Sequence, residues 1–406
     1  MHFWLVAVAE TIPTDKARPM RFMNIAEQML NSGHQITQWT TTFLHHIKSH
    51  RFSDDAIIEV KPGYRLVVLR SYGYRRNISL QRYFAHKHFA WRLKHVMPKY
   101  DRPDLILASL PPLDTVSAVI DYGIKFKIPV VIDVIDPWPD VFLQLVPRRL
   151  RSVFNLILTP LNRQARAIFR RLSGVTGLSD TYVKWAINLR GNGDIPNAVF
   201  YPAVNLTAHD QLISQRKIYN GRTKGNPMRF VYAGAMGKSY DVETVIKCAK
   251  YLHEKGFADA QFLIAGNGPK AGALSKMAES LPNVKFFGWL NEEALAELLD
   301  SSHIGIACYA RSATQSVTYK LFDYLGAGLP ILCSLPGEMS NIIESEQIGY
   351  TYPAEDVNAL AKIVQYLSVK PDLVCEMSER ARTFAEHFGD SRVVYHKMVE
   401  YLEKIV

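Results

Sequence analysis

Lys320 and Asp323 stand three residues apart in TQSVTYKLFDYLGAGLPIL, residues 314–332, between a run of small hydroxyl residues and a Gly-Ala-Gly-Leu-Pro stop. On an exposed helix such a pair is a surface ion pair worth about 0.3 kcal/mol. Beside a ligand, the ammonium neutralises phosphate and the carboxylate accepts hydrogen bonds from hydroxyls. Three glycine junctions precede it: YAGAMGKS at 232–239, IAGNGP at 264–269 and FFGWLN at 286–291. Glycine after a strand frees backbone N–H groups, and with the following helix N-terminus it builds an anion site suited to phosphate. Gly234 and Gly266 are the expected contacts, with Lys238 placed at the start of the next helix to meet a diphosphate.

The first half of the chain offers a different set. VIDVIDPWPD places Asp133, Asp136 and Asp140 around a strand end, and its two prolines forbid a continuing helix. In TIPTDKARPMRF, residues 11–22, Arg18 and Arg21 bring guanidinium groups to the loop after the first strand. Residues 70–102 are basic and aromatic together, a composition that suits an interfacial surface meeting anionic lipid. His86, His88 and His95 lack the tight pairing with a nearby acid that a zinc site needs, and no Asp-x-Asp follows a strand as a magnesium ligand would. No metal and no cofactor is expected. Cys248, Cys308, Cys333 and Cys375 stand alone, without metal or redox spacing.

The elements that must position these residues are strands alternating with helices. FWLVAVAE, HQITQWTT, DLILAS and PVVIDVID alternate with helical stretches around MRFMNIAEQMLNSG and LQRYFAHKHFAWRLKHVM. The pattern restarts with RFVYAGAMG, AQFLIAGNG, NVKFFGWL, HIGIACYA and PILCS. Such alternation implies parallel strands with right-handed crossovers. The expected fold is α/β, two doubly wound Rossmann-like domains facing across a cleft. Their expected bounds are 1–205 and 206–385, joined by a polar stretch near 200–228, with a final helix at 386–406 packing back toward the first domain. Ligands of open parallel sheets bind at the carboxyl ends of the strands. The 406 residues are too many for one core, and no apolar run approaches a membrane span. Residues 1–200 carry 27 Lys+Arg against 15 Asp+Glu, whereas residues 201–406 carry 21 against 23. The basic half calls for an anionic partner: nucleic acid, an anionic membrane or a phosphorylated substrate.

The run FVYAGAMGKSYDVETVIKCAKYL, FLIAGNGP, NVKFFGWLNEEALAELLDSSHIGIACY and KLFDYLGAGLPIL resembles the nucleotide-sugar domain of glycosyltransferase family 4, retaining enzymes of the GT-B fold. With NIAEQMLNSGHQITQWTTTF, DKARPMRF, ASLPP and DVIDPWPD, the chain resembles most the branch that builds bacterial surface polysaccharides. The resemblance puts the family's Glu-x7-Glu pair on Gln315 and Asp323. It implies that Asp323 holds the ribose hydroxyls, that Ser316, Val317 and Thr318 present backbone N–H groups to the diphosphate with Lys320 as helper, and that Trp289 and Leu290 meet the nucleobase. Gln315 can hydrogen-bond the transferred sugar but brings no charge. The family's arginine after the first glycine is Ala235 here, so diphosphate neutralisation is assigned to Lys238, with Lys320 or Arg311 assisting. Many members carry a histidine near the strand end where this chain has Ile135 and Asp136, and Asp136 is the expected contact with the reacting sugar or acceptor hydroxyl.

The activity so implied is transfer of a hexose, expected to be N-acetylated, from a UDP-sugar co-substrate to a lipid-linked or oligosaccharide acceptor in surface polysaccharide biosynthesis. The expected place is cytoplasmic, peripheral on the anionic inner face of the membrane, with no nucleic-acid partner. A UDP-sugar 2-epimerase of the same fold is the alternative enzyme, although it needs several acids in the cleft. A basic nucleic-acid-binding module would account for the first half but leaves the glycine junctions idle.

Overall fold

The computed structural model of the chain describes residues 1–8, 10–15, 18–45, 47–191, 193–214 and 227–406. Residues 215–226 of the expected polar joint, and Lys16 and Ala17 of the 11–22 loop, lie outside the described residues. The chain divides into two units, Met1–Tyr201 with Val394–Val406, and Pro202–Val393.

In the first unit the elements run β1 (His2–Val6), α1 (Arg21–Asn31), β2 (Gln35–Thr41), β3 (Phe43–Leu44), β4 (Ser49–His50), β5 (Ala56–Lys61), β6 (Tyr64–Leu69), α2 (Leu80–Val96), β7 (Leu105–Leu110), α3 (Leu113–Phe126), β8 (Val130–Val134), α4 (Arg151–Ile157), α5 (Thr159–Phe169), β9 (Gly174–Gly177), α6 (Asp180–Arg190) and β10 (Asn197–Val199). One sheet has the order β10-β9-β8-β7-β1-β2-β6-β5. Its pairs are parallel except β5 on β6. Strands β7 and β8 are buried along their whole length, because helices cover both faces of a parallel sheet. The antiparallel edge pair AIIEVK and YRLVVL, turned by Pro62-Gly63, is absent from the strand–helix alternation read above; β5 alternates half-buried and exposed residues, as an edge strand does. Trp4 packs at 4.9 Å from Trp39 and 5.1 Å from Tyr122, tying β1, β2 and α3 into one core.

In the second unit follow α7 (Leu206–Ser214), β11 (Met228–Ala233), α8 (Val242–Glu254), β12 (Ala260–Ala265), α9 (Ala271–Ala278), β13 (Val284–Gly288), α10 (Glu292–Asp300), β14 (Ile304–Ala307), α11 (Tyr319–Gly326), β15 (Ile331–Cys333), α12 (Glu338–Ser345), β16 (Gly349–Thr351), α13 (Val357–Ser368), α14 (Pro371–Phe388) and α15 (Ser391–Glu403). The sheet order is β13-β12-β11-β14-β15-β16, parallel throughout. Residue 385 falls inside α14, so the helix that enters the first unit is α15. Within that unit Tyr401 stacks edge-on at 5.7 Å from Phe200, and Glu403 meets His34 at 2.6 Å. Among the described residues no helix is long and apolar enough to cross a membrane.

Candidate active site

Parallel register places Ala233 beside Ala265 and Ala265 beside Gly288, so the three glycine junctions of the second unit end at one edge of the sheet. They pack on each other. A Cβ on Gly266, whose φ is +125°, would overlap the carbonyl oxygen of Gly234. Glycine is therefore required here for backbone against backbone as well as for any ligand. Beside them opens a cavity of about 370 Å³, lined by Gly234, Gly266, Trp289, Leu290, Lys320 and Asp323 among others, with Leu295 and Leu299 of α10 as an apolar wall. Six of the residues expected at a nucleotide site are thus brought together.

Lys320, in the first turn of α11, extends beneath the first glycine loop. Its Nζ lies 4.3, 5.5 and 5.7 Å from the ring centres of Tyr232, Tyr240 and Tyr324, and it donates to the carbonyl of Ala233. A Cβ on Gly234 would collide with that Nζ. Among the described residues Lys320 makes no ion pair. Burial pushes its ammonium down to about 8, while Cys308 and Asp323 pull the other way. Tyr324 OH accepts from Ala233 N at 2.8 Å and donates to Ile306 O at 3.2 Å, and Tyr232 OH donates to Ala235 O at 2.5 Å. Three side chains from two elements thereby fix the loop that faces the cavity. A partly buried ammonium with ring faces for neighbours, and no ion pair among the described residues, is poised for an anion that enters the cavity.

Other expected residues fall elsewhere. Lys238 is exposed in a turn that precedes α8, not at the helix start, because Asp241 caps the helix by accepting from Thr244 N at 3.3 Å. It does not line the cavity. Arg311 is exposed and pairs with Glu355 at 3.5 Å. Gln315 turns its Oε1 back to accept from Thr314 N at 3.0 Å. Ser316 and Val317 are buried, and Thr318, the N-cap position of α11, exchanges a 2.7 Å hydrogen bond with Tyr309 OH. Trp289 lines the cavity while 73% exposed, so it is not part of the core. Sequence spacing missed Glu338. The first residue of α12, it accepts a 3.0 Å hydrogen bond from Ser316 Oγ, bringing a carboxylate to the loop where position 315 has none. Nothing local in the sequence signals an approach across 22 residues.

In the first unit, Arg21 is 1% exposed and clamps Asp133 with two bonds of 2.6 and 2.8 Å, donating also to Phe200 O at 2.7 Å. It is a structural cation. Burial leaves it no face for an acceptor, contrary to its expected place there, and Asp133 is equally enclosed, accepting from Thr176 Oγ1 at 2.8 Å. Arg18 is exposed in the loop before α1. Asp140 accepts from Trp185 Nε1 at 2.8 Å. Asp136, after β8, keeps solvent access in a recess whose walls desolvate it and push its carboxyl up to about 6, with Arg82 pulling it down. Arg82 lies over the Trp138 ring at 5.1 Å and the Tyr74 ring at 5.6 Å, and donates to His86 Nε2 at 3.4 Å. Burial, with Arg82 and His45 adding to it, pushes His86 down to about 3, so its imidazole is neutral. Glu10, which the sequence reading passed over, lies after β1 with its buried Oε2 making no hydrogen bond among the described residues; burial pushes its carboxyl up to about 7, against the Phe22 backbone N–H and Arg21.

Residues 227–368, which contain the whole cavity, match the family described as Glycosyl transferases group 1. This segment is a glycosyl transferases group 1 domain. The chain is 19% identical over 191 residues to a putative colanic acid biosynthesis glycosyltransferase, WcaL, of Escherichia coli (strain K12), a match covering 45% of this chain and 47% of that protein. The chain thus spans about half the length of the curated relatives it matches. In fold it is similar over its whole length to sucrose-phosphate synthase from Thermosynechococcus elongatus, with TM-score 0.74 and 14% identity over 98% of that chain. Anabaena HepE in complex with UDP is similar at TM-score 0.68 and 12% identity, with both chains fully covered. These likenesses place the fold among the GT-B glycosyltransferases, two Rossmann-like domains of which the second holds the group 1 domain.

Proposed function

We propose that this protein is a retaining glycosyltransferase that moves a hexose, N-acetylated, from a UDP-sugar to a lipid-linked or oligosaccharide acceptor in surface polysaccharide biosynthesis. One observation carries the reading: the cavity within the residues that match the group 1 family joins a desolvated ammonium, Lys320, to a carboxylate, Asp323, at the edge where two glycine loops expose backbone. The colanic acid relative supports the polysaccharide setting, and the UDP complex of HepE supports the donor nucleotide.

In this reading Asp323 accepts the ribose hydroxyls, and Trp289 and Leu290 flank the base. Lys320 and the N-terminal end of α11 at Thr318 receive the diphosphate, stabilising negative charge as the bond from the sugar to the phosphate oxygen breaks. The acceptor oxygen attacks from the same face, and catalysis is chiefly positional and electrostatic. Glu338 supplies the carboxylate that Gln315 does not, and Asp136 orients the acceptor hydroxyl. Lys320 takes the role first assigned to Lys238.

Calorimetry of the full chain with UDP tests the donor site, and incubation with a panel of UDP-sugars tests the reaction. Tight UDP binding together with sugar transfer to a lipid-linked oligosaccharide is the expected result. Conversion of the UDP-sugar to its 2-epimer without acceptor would replace the reading with the epimerase, and absence of UDP binding would overturn both.

A further inference from the structure

Helix α4 has no buried residue. Val153, Leu156 and Ile157 are 63%, 74% and 66% exposed, and Leu150, one turn earlier, is 54% exposed. The spacing 150, 153, 157 with 156 puts the four on one face of the helix. A seven-residue helix whose one half-buried side chain is Phe154 gains little stability from the fold beneath it, so its exposed apolar face needs another reason.

The surrounding charge is one-sided. Residues 141–179 contain seven arginines and no aspartate or glutamate. Arg149, Arg151, Arg163 and Arg166 are exposed, and among the described residues none of them makes an ion pair. A second apolar stripe lies nearby in the fold. On α2, Leu80, Tyr83, Phe84 and Trp91 are exposed at helical spacing. Asp114, in the first turn of α3, accepts from Lys87 Nζ of α2 at 3.2 Å and from Gln164 Nε2 of α5 at 3.3 Å, which ties the middle of α2 and of α5 to the start of α3, just after β7. Helix α4 runs directly into α5. Both stripes therefore border the carboxyl ends of β7 and β8, the edge that carries Asp136.

We infer that α4 is a membrane-docking element that inserts Leu150, Val153, Leu156 and Ile157 among the acyl chains of an anionic bilayer, with Arg149 and Arg151 at the phosphate level and the α2 stripe alongside. Large exposed aliphatic side chains on a segment rich in exposed arginines, which make no ion pair among the described residues, match a bilayer interface, apolar within and anionic at its surface. A nucleic acid would contact the arginines and leave the aliphatic face in water. The sequence reading put the interfacial surface at 70–102. The inference adds α4 to that surface, with the exposed side chains of α2 as its other part. The inference deepens the lipid-linked acceptor proposed above, because it brings the lipid to the strand edge beside Asp136.

The test is flotation of the full chain with phosphatidylcholine vesicles and with vesicles containing 30% phosphatidylglycerol (about a third anionic lipid), alongside UDP calorimetry on the same samples. Wild type floats with the anionic vesicles, and the double variant Leu156→Asp/Ile157→Asp loses at least about tenfold in partitioning with UDP affinity unchanged. Because both side chains are exposed, the variant retains its fold, which its circular dichroism spectrum and an unchanged melting temperature verify. In a second measurement, Cys375→Ser/Leu156→Cys carries an environment-sensitive dye that shifts to the blue on anionic vesicles, whereas dye on native Cys375, the exposed cysteine of the second unit, does not. Equal flotation of wild type and variant, no flotation of wild type, or a wild-type dimer that the variant dissolves would each overturn the inference, the last in favour of a second copy of the chain. Loss of UDP binding with flotation intact would overturn the donor reading alone.

Discussion

The Nζ of Lys320 sits 4.3 Å from the centre of the Tyr232 ring, beneath the loop that Gly234 begins. One ammonium thereby holds the glycine loop and faces the cavity, and its protonation state decides how an anion binds. Lys320→Met is expected to weaken UDP binding by about 1–3 kcal/mol, the range of a lost charged hydrogen bond. Wild-type affinity should also fall as pH rises above about 8, by up to about tenfold per pH unit, because the diphosphate must then protonate the lysine to keep its partner. Calorimetry between pH 7 and 9.5 (roughly two units across that pKa) reads the slope, and Lys320→Met should abolish it. Lys238→Ala, on an exposed turn, should leave the same curve in place.

Asp323→Ala should lose about 1–3 kcal/mol of UDP affinity if the ribose hydroxyls bind there. Comparison of UDP with 2′-deoxy-UDP is sharper than affinity alone. Wild type should prefer UDP, and the variant should bind both alike; a preference that survives the substitution places the ribose elsewhere.

Two neighbouring glycines should respond differently to alanine. In Gly266→Ala the new Cβ meets the backbone of Gly234, which cannot rotate away, at a φ that L residues rarely adopt. A loss of about 3 kcal/mol in urea unfolding is expected. In Gly234→Ala the φ of +147° is strained too, but the obstacle is the end of a flexible lysine and not backbone, so the stability loss should be smaller than for Gly266→Ala and UDP affinity should fall as the lysine is displaced. Equal stability losses would show that the loop, not the lysine, takes up the strain.

Glu10 gives the fold a pH dependence. Its folded carboxyl is raised to about 7 from the ordinary 4.5, chiefly by burial, so the native state holds a proton that the unfolded chain has released. Stability is then greatest below pH 4.5 for this group and falls as pH rises to 7, by about 3 kcal/mol at the limit, with no further change above. Glu10→Gln, an uncharged isostere, should raise the melting temperature at pH 8 and change it little at pH 5. A variant less stable than wild type at pH 8 would mean that the ionised carboxylate has a partner.

Asp136→Asn should lower turnover while leaving UDP affinity unchanged, since Asp136 belongs to the first unit and the nucleotide cavity to the second. Steady-state kinetics with saturating donor reads this as a fall in kcat. An Asn variant with normal turnover removes Asp136 from the reaction.

The sequence by itself determined the two parallel sheets, the glycine junctions and the Lys320–Asp323 spacing. Strand–helix alternation and the needs of a strand-to-helix turn are local, written within a few residues, and so survive without tertiary knowledge. The antiparallel pair Ala56–Lys61 and Tyr64–Leu69 escaped because it breaks the alternation, and Lys238 was misplaced because the cap belongs to Asp241. Only the tertiary structure decided which charges are buried and which meet solvent. Arg21 finds Asp133 across 112 residues and leaves the acceptor side. Glu338 arrives at Ser316 across 22. Lys320 becomes a binding cation because Tyr232, Tyr240 and Tyr324 close over it from three places in the chain. Helix α4 becomes a surface because, among the described residues, the fold leaves Leu150, Val153, Leu156 and Ile157 uncovered. Each is a question of desolvation, and desolvation depends on atoms brought together from distant parts of the sequence, which no spacing along it records.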